Sequence, residues 1–475
     1  MEVSGVKSEI GKAETVASGA AVDTIQSRIA DFARAAAFSR LTPEDVHAAK
    51  IHTIDTFASL VAGFSSKTSE VSRLFAKRQG GDGSSIIGTD WRCSPDLAAF
   101  ANATTAREIE LNDVYMSETG AGAHPSDVLM PLFAVAECGK ASGRAFISAL
   151  LAAYEIYVSM SDRALIAGFD QSTLAGIATA AGSGRLLKLD RRQMMNCLSI
   201  VTVANNPLNQ TRRNDLSMWK AAAAGQAGKA GVLAAILAQE GMEGPSMPFE
   251  GLQGWCKHVA KAPFSLDIMG QGRLRIHDVM MKPRAACAAT ISSILAAEKV
   301  SGKFGDPAEV SSITVTTYED ARKLVGSRPQ HWNPTTRETA DHSIPYVVAA
   351  ALLDGTVGPR QFEPERLEDP AIRALMAKVS VAVDDGYSAA YKARPPRHWT
   401  EVSVKTASGR EFTGLAGGEH GDMAVGKSDA EVEHKFISIV EEFLGQRRTR
   451  QALDQLKRLD ELTDVGSIAP LFVRE

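Results

Sequence analysis

From residue 42 to about residue 300, apolar and small residues recur in long segments bounded by helix punctuation. In LTPEDVHAAKIHTIDTFASLVAG, Thr42 is placed to cap, Pro43 to take the first helical position and Gly63 to end the helix. SDVLMPLFAVAECG, RAFISALLAAYEIYVSMS and MWKAAAAGQAGKAGVLAAILAQEG read as further helices. Their many alanines and glycines let neighbouring helices approach closely, as in a dense bundle. Between the helices, RQGGDGSSIIGTD places Gly83 and Gly88 like the glycines of a phosphate loop, but Thr89 follows where such a loop needs Lys and then Ser or Thr. That segment reads as a hairpin or tight loop.

The pattern changes near residue 305. VSSITVTTY (310–318), KVSVAVDD (378–385) and TEVSVKTASGREFTG (400–414) alternate with a period of two, which predicts strands. A helix from His342 and another around PAIRALMAK lie between them, so the region forms a small α+β unit. After it, Ser428 and Glu431 make a capping box ahead of VEHKFISIVEEFL. The predicted plan is mainly α. Residues 1–22 form a loose tail, 23–280 and 418–475 a large all-helical domain, and 281–417 a smaller α+β domain inserted late. No internal repeat of fixed period is apparent.

Composition narrows the classes. Of 475 residues 44% are hydrophobic and 23% charged, which is ordinary for a globular protein, and a net charge of −4 gives no reason to expect nucleic acid or an anionic membrane as partner. The longest uninterrupted apolar runs, such as VVAAALL, are too short to span a bilayer, and the N-terminus has no apolar core of a secretory signal. Cys93, Cys138, Cys197, Cys256 and Cys287 are scattered and odd in number, without a CxxC pair. This argues against a disulfide framework or metal cluster and for a reducing, cytoplasmic compartment. The ten histidines show no ligand spacing, so no metal or other cofactor is expected. RRTR at 447–450 reads as a solvated helix end.

Four segments are unusually polar for the helices they open. In EIELNDVYMSETGAGAHPSDVLMP, Glu110 and Asp113 would share a face if helical. His124 and Ser126 stand at the start of an apolar helix whose free N–H groups suit an anion. In NQTRRNDLSMWKAAAAG, Arg212, Arg213 and Lys220 flank the start of another helix, with Asn214 or Asp215 as its cap. Lys220 either snorkels to the surface or is held as a fixed cation for a carboxylate. In VMMKPRAACAATISSIL, Lys282 and Arg284 surround Pro283 at the apparent domain junction, where solvated hinge charges are the alternative. In TRETADHSIPYVVAAALLDG, Arg337, Glu338, Asp341 and His342 crowd against an apolar run, Asp341 or Ser343 can cap, and Tyr346 falls one turn from His342. Such a set of cations, helix N-termini, imidazoles and carboxylates suits moving a proton next to a carboxylate.

TRETADHSIPY followed by VVAAALLDG, LNDVYMSETGAGAHPSD, the Lys220 segment LSMWKAAAAGQAGKAGVLAAILAQEGMEGPSMPFEG and the late strands together resemble the MmgE/PrpD family, over roughly residues 25–460. The resemblance implies a large helical domain under an α+β lid, a homodimer, no metal or iron–sulfur cofactor, and a small di- or tricarboxylic acid as substrate. It further implies that Asp113, His124, Lys220, His342 and Tyr346 face an interdomain site with Lys282 at its edge. The family includes 2-methylcitrate dehydratases, cis-aconitate decarboxylase and iminodisuccinate epimerase. The last two resemble each other in histidines that here fall at Asp170 and in KPRAACAAT, where Cys287 stands without one. The expectation is therefore a cofactor-independent dehydratase of a 2-methylcitrate-like hydroxy acid. His124 and His342 or Tyr346 would act as acid and base, with Asp113 orienting one of them. Arg212, Arg213, Lys220, Lys282, Ser126 and Arg337 would hold carboxylates. The alternatives are the other two activities or a non-catalytic carboxylate-binding protein.

Overall fold

The computed structural model describes residues 22–120, 122–269, 272–394, 396–418 and 427–474. All but the last residue of the expected 1–22 tail lies outside them. Within them the chain is mainly α, with one four-stranded sheet and two short hairpins. One hairpin, Ser84–Ser85 with Arg92–Cys93, is the glycine-rich segment.

Two apolar cores organise the molecule. The first joins helices from the N-terminal part of the chain, among them Pro43–Gly63, Gly143–Arg163 and Ser172–Leu186, with the late helices Asp429–Leu444 and Gln446–Lys457. Thr42 and Asp45 close a full capping box on Pro43–Gly63, and Ser428 and Glu431 do the same on Asp429–Leu444. The second core packs Ala288–Glu298 and Ile344–Asp354 against the sheet, and takes in Val114 and Met280 from the earlier part of the chain.

Trp219–Gln239 is rich in small apolar residues and buries most of its length against neighbouring helices. Its glycines are contact points. A Cβ at Gly225 would meet Thr104 Oγ1 at 2.2 Å and the Phe100 carbonyl at 2.5 Å, and one at Gly231 would meet the Gly176 carbonyl at 2.7 Å. By length and composition this helix could cross a membrane, which a search for uninterrupted apolar runs passes over, but 67% of that stretch is buried inside the fold. It starts at Trp219 after Met218, not after Asn214 or Asp215. Asn214 instead takes a left-handed turn, φ 57°.

The sheet order runs Val379–Val383, Val310–Thr317, Thr400–Thr406, Glu411–Ala416. The first two strands are parallel and the other pairings antiparallel. A parallel pair cannot be closed by a tight turn and needs a long crossover. Here the crossover carries Arg337–Ala340 and Ile344–Asp354, so the charged TRETADHS segment is delivered to the seam between the two cores.

Candidate active site

A two-way backbone pairing, Val114 with Met280 at 2.8 Å in each direction, ties the IELND segment to the chain just before Lys282. In this antiparallel register Lys282 falls opposite Asn112, and its side chain reaches back to Glu110. Its Nζ donates to the Glu110 carbonyl at 2.9 Å and to Oε2 at 2.7 Å. Lys220 Nζ reaches Oε1 at 3.0 Å, and Arg107 donates to the same oxygen. One buried carboxylate thus holds three buried cations. Burial opposes its charge, but Arg107, Lys220 and Lys282 outweigh that and hold Glu110 well below the usual carboxylate range. Burial in turn pulls the Lys282 ammonium down. The helix Pro95–Arg107 has already ended, and Glu110 sits at φ 54°, so Glu110 and Asp113 do not share a helical face as their spacing suggests.

Asp113 and His124 meet through the backbone. His124 Nδ1 lies 2.6 Å from the Asp113 carbonyl oxygen. A carbonyl only accepts, so Nδ1 carries the proton and Nε2 keeps its lone pair. Burial, then the charges of Arg107 and Lys282, hold this imidazole well below the ordinary histidine range, so it is neutral. The Asp113 carboxylate faces elsewhere. Oδ1 accepts from the Ser126 N–H at 3.0 Å and hydroxyl at 2.6 Å, and Oδ2 from the Tyr154 hydroxyl at 2.9 Å and His52 Nδ1 at 3.2 Å. Ser126 is thereby spent on positioning the His124 turn.

His342 completes the cluster. Its Nδ1 contacts Asp341 Oδ1, and Lys220 Nζ lies 3.6 Å from the same carboxylate. Burial opposes protonation of His342, but Cys287 and Asp341 outweigh it and push the imidazole up to about 9. Lys220 therefore touches both Glu110, on the His124 side, and Asp341, on the His342 side. Lys282, Glu110, Lys220, Asp341 and His342 form one connected chain of ion pairs, and His124 lies in the field of Arg107, Lys282 and Glu110.

Other predicted residues stand apart from it. Tyr346 donates its hydroxyl to the Gln361 carbonyl and leans on Phe362, deep in the second core. Its one-turn spacing from His342 has no geometric force, because Ser343 caps the helix and His342 precedes it. Arg212 is bound to Asp170 at 2.7 Å, an arrangement set by the bridge between Phe169 and Leu208. Arg213 is exposed. Arg337 spans the seam, donating to the Glu108 carbonyl at 3.2 Å and lying over Phe362.

A cavity of about 850 Å³ opens on the same seam, bounded by Lys282–Ala285, the Thr356–Gln361 loop and Asp429–Leu444. Lys282 and Leu111 line it, but neither His124 nor His342 does. Three of its cations are paired, Lys435 to Asp55 at 2.6 Å, Arg284 to Glu298 at 2.7 Å and Arg360 to Glu442 at 2.8 Å. Neither candidate histidine therefore opens into this space.

Sequence reasoning passed over Arg107, His52 and Lys435. Arg107 and Glu110 are three apart, a visible ion-pair spacing. Lys435 falls within the apolar stripe of Val432, Phe436 and Ile439, and a lone charge there is a signal of an internal partner. His52 lies in a helix buried on most sides and gives no such signal.

The MmgE/PrpD N-terminal domain matches residues 27–267 and the MmgE/PrpD C-terminal domain matches residues 285–460. The mitochondrial 2-methylcitrate dehydratase of Yarrowia lipolytica is 27% identical over 343 residues, which is 67% of this chain and 64% of that protein. The 2-methylcitrate dehydratase of Escherichia coli strain K12 is 26% identical over 330 residues, 65% of this chain and 67% of the other. Human cis-aconitate decarboxylase is 24% identical over 464 residues, 91% of each chain.

Proposed function

This chain belongs to the MmgE/PrpD family, and from that premise we propose that it is a hydro-lyase dehydrating a 2-methylcitrate-like hydroxy di- or tricarboxylic acid. The observation that carries the reading is His124, a neutral imidazole whose Nδ1–H is fixed by the Asp113 carbonyl, leaving the Nε2 lone pair, in the field of the buried Arg107 and Lys282. Nε2 takes the proton from the carbon next to a carboxylate. The charge that develops is an enediolate, and Lys220 and Lys282 are placed to stabilise it by several kcal/mol in a site of low dielectric. His342, protonated at neutral pH, gives its proton to the departing hydroxide, and Asp341 holds its ring. A substrate carboxylate competes with Glu110 for the same ammonium groups.

The experiment is incubation with 2-methylcitrate, citrate and cis-aconitate while following ultraviolet absorbance of the unsaturated acid and release of carbon dioxide. Dehydration predicts a rise in absorbance with 2-methylcitrate and no gas. Decarboxylation of cis-aconitate is the second reading, favoured by the 91% coverage of the human relative. Against it, Asp170 occupies the place of a histidine and is locked to Arg212, so it is no free base. Tight binding of these acids without turnover would support a non-catalytic carboxylate-binding protein. The reading includes a homodimer active without an added metal or cofactor, so sedimentation at twice the chain mass and unchanged turnover after chelation are expected.

A further inference from the structure

The cavity of about 850 Å³ on the seam has no part in the proton chemistry above, yet it has the features of a binding site. Its volume falls within the range of about 300–1,000 Å³ usual for small-molecule sites. Its lining carries six lysines and arginines against four carboxylates, in a chain whose net charge is −4. The side chains of two of these cations, Lys282 and Lys427, are only 0% and 5% exposed. In the wall, Lys435 Nζ donates to Asp55 Oδ1 at 2.6 Å, to the Leu111 carbonyl at 3.0 Å and to the Lys282 carbonyl at 2.9 Å. That leaves Asp55 with an unmet acceptor: it borders the cavity and is buried, and its Oδ2 has no hydrogen-bond partner among the described residues. The cations are strung along the helix Asp429–Leu444. His434 and Lys435 lie in its first half. Near its end Arg360 pairs with Glu442 at 2.8 Å, and the Arg474 guanidinium lies 5.5 Å from the centre of the Phe443 ring. The side chains of His434 and Arg474 have no ion pair or hydrogen bond among the described residues. From His434 to Glu442 the helix rises about 12 Å.

We propose that this cavity is a second ligand site, separate from the histidine cluster, for an elongated anion of nucleotide size that carries phosphate and a flat, largely apolar body. Two guanidiniums at one end suit phosphate, whose oxygens accept two parallel N–H bonds from each. Arg474 is uncommitted, and the Arg360–Glu442 pair is exposed on both sides, so it gives way readily to a stronger anion. Val61, Pro283 and Pro359 offer apolar wall for the body. A hydroxyl or amino group on that body satisfies Asp55 Oδ2. A citrate-sized acid is too short to reach from His434 to Arg474 and too small to fill the space, whereas an extended nucleoside triphosphate covers the span. The walls come from both halves of the fold, Asp55 and Phe443 from the helical part and the Thr356–Gln361 loop from the α+β part, so a ligand here bridges the seam. Nothing in this assignment rests on the dehydratase reading.

The test is isothermal titration calorimetry of the full chain with ATP in magnesium-free buffer. Saturable binding of one ATP per chain is expected, weakening as salt is raised. Tripolyphosphate, which lacks the body, should bind about tenfold more weakly. Arg360→Ala combined with Arg474→Ala should lower the ATP affinity by about tenfold or more. Both residues are exposed, so the ligand-free double variant should melt within about 2 °C of the wild type. His124→Asn should bind ATP as the wild type does, because His124 does not line the cavity. No saturable binding up to about 5 mM ATP, tripolyphosphate binding as tightly as ATP, or an unchanged affinity in the double variant would overturn the proposal. So would loss of ATP binding in His124→Asn, which would put the nucleotide at the histidine cluster instead. None of these readings needs turnover, so a negative result here and a negative dehydration assay are distinguishable.

Discussion

In the proposed reaction a single hydrogen bond sets the role of His124. Because the Asp113 carbonyl fixes Nδ1–H, His124→Asn should fold but lose the base, and kcat/KM should fall by about 10²–10⁴. The pH profile follows from two opposite shifts. His124 works when unprotonated, and its affinity for the proton is depressed, so the acid limb should lie below about pH 6.5. His342 works when protonated and is raised, so activity should fall as pH rises through about 9. Steady-state rates across this range check both limbs. Glu110→Gln leaves three buried cations short of their shared anion, and a loss of about 3–5 kcal/mol in urea unfolding is expected. Tyr346→Phe touches the second core only. It should cost about 1 kcal/mol of stability and leave kcat within about twofold. At this scale the sequence named His124, Lys220, Lys282 and His342 by residue type and position. It could not show that Tyr346 turns away, because that depends on His342 lying one residue before the helix cap.

Elements were legible where their signals are local. Thr42–Pro43 and Ser428–Glu431 cap helices as their spacing requires, and alternation around Val310, Val379 and Thr400 marks real strands. Elements shaped by distant contacts were not. The left-handed Glu110 is set by the pairing of Val114 with Met280, some 170 residues away in the chain. The start of the Lys220 helix is likewise set by its neighbours. Gly225→Val should therefore disturb function through packing. Its side chain would collide with Thr104 and the Phe100 carbonyl and shift the Trp219–Gln239 helix that carries Lys220. An overpacking loss of about 1–3 kcal/mol and a raised KM are the expected readings from unfolding and kinetics.

For the whole molecule, the seam between two cores answers why ionisable groups are driven against apolar helices. The helical core supplies His124, Lys220 and Glu110, the α+β core supplies His342 and Cys287, and Lys282 enters at the junction. Neither half holds both the neutral imidazole and the protonated one. The most direct test of a joint proton-moving site is hydration of the unsaturated acid in D₂O, with the product read by NMR. The account predicts one deuterium on the carbon next to a carboxylate, and its disappearance with either His124→Asn or His342→Asn. Product formed at the wild-type rate by the His124 variant, or carrying no deuterium at that carbon, would contradict it.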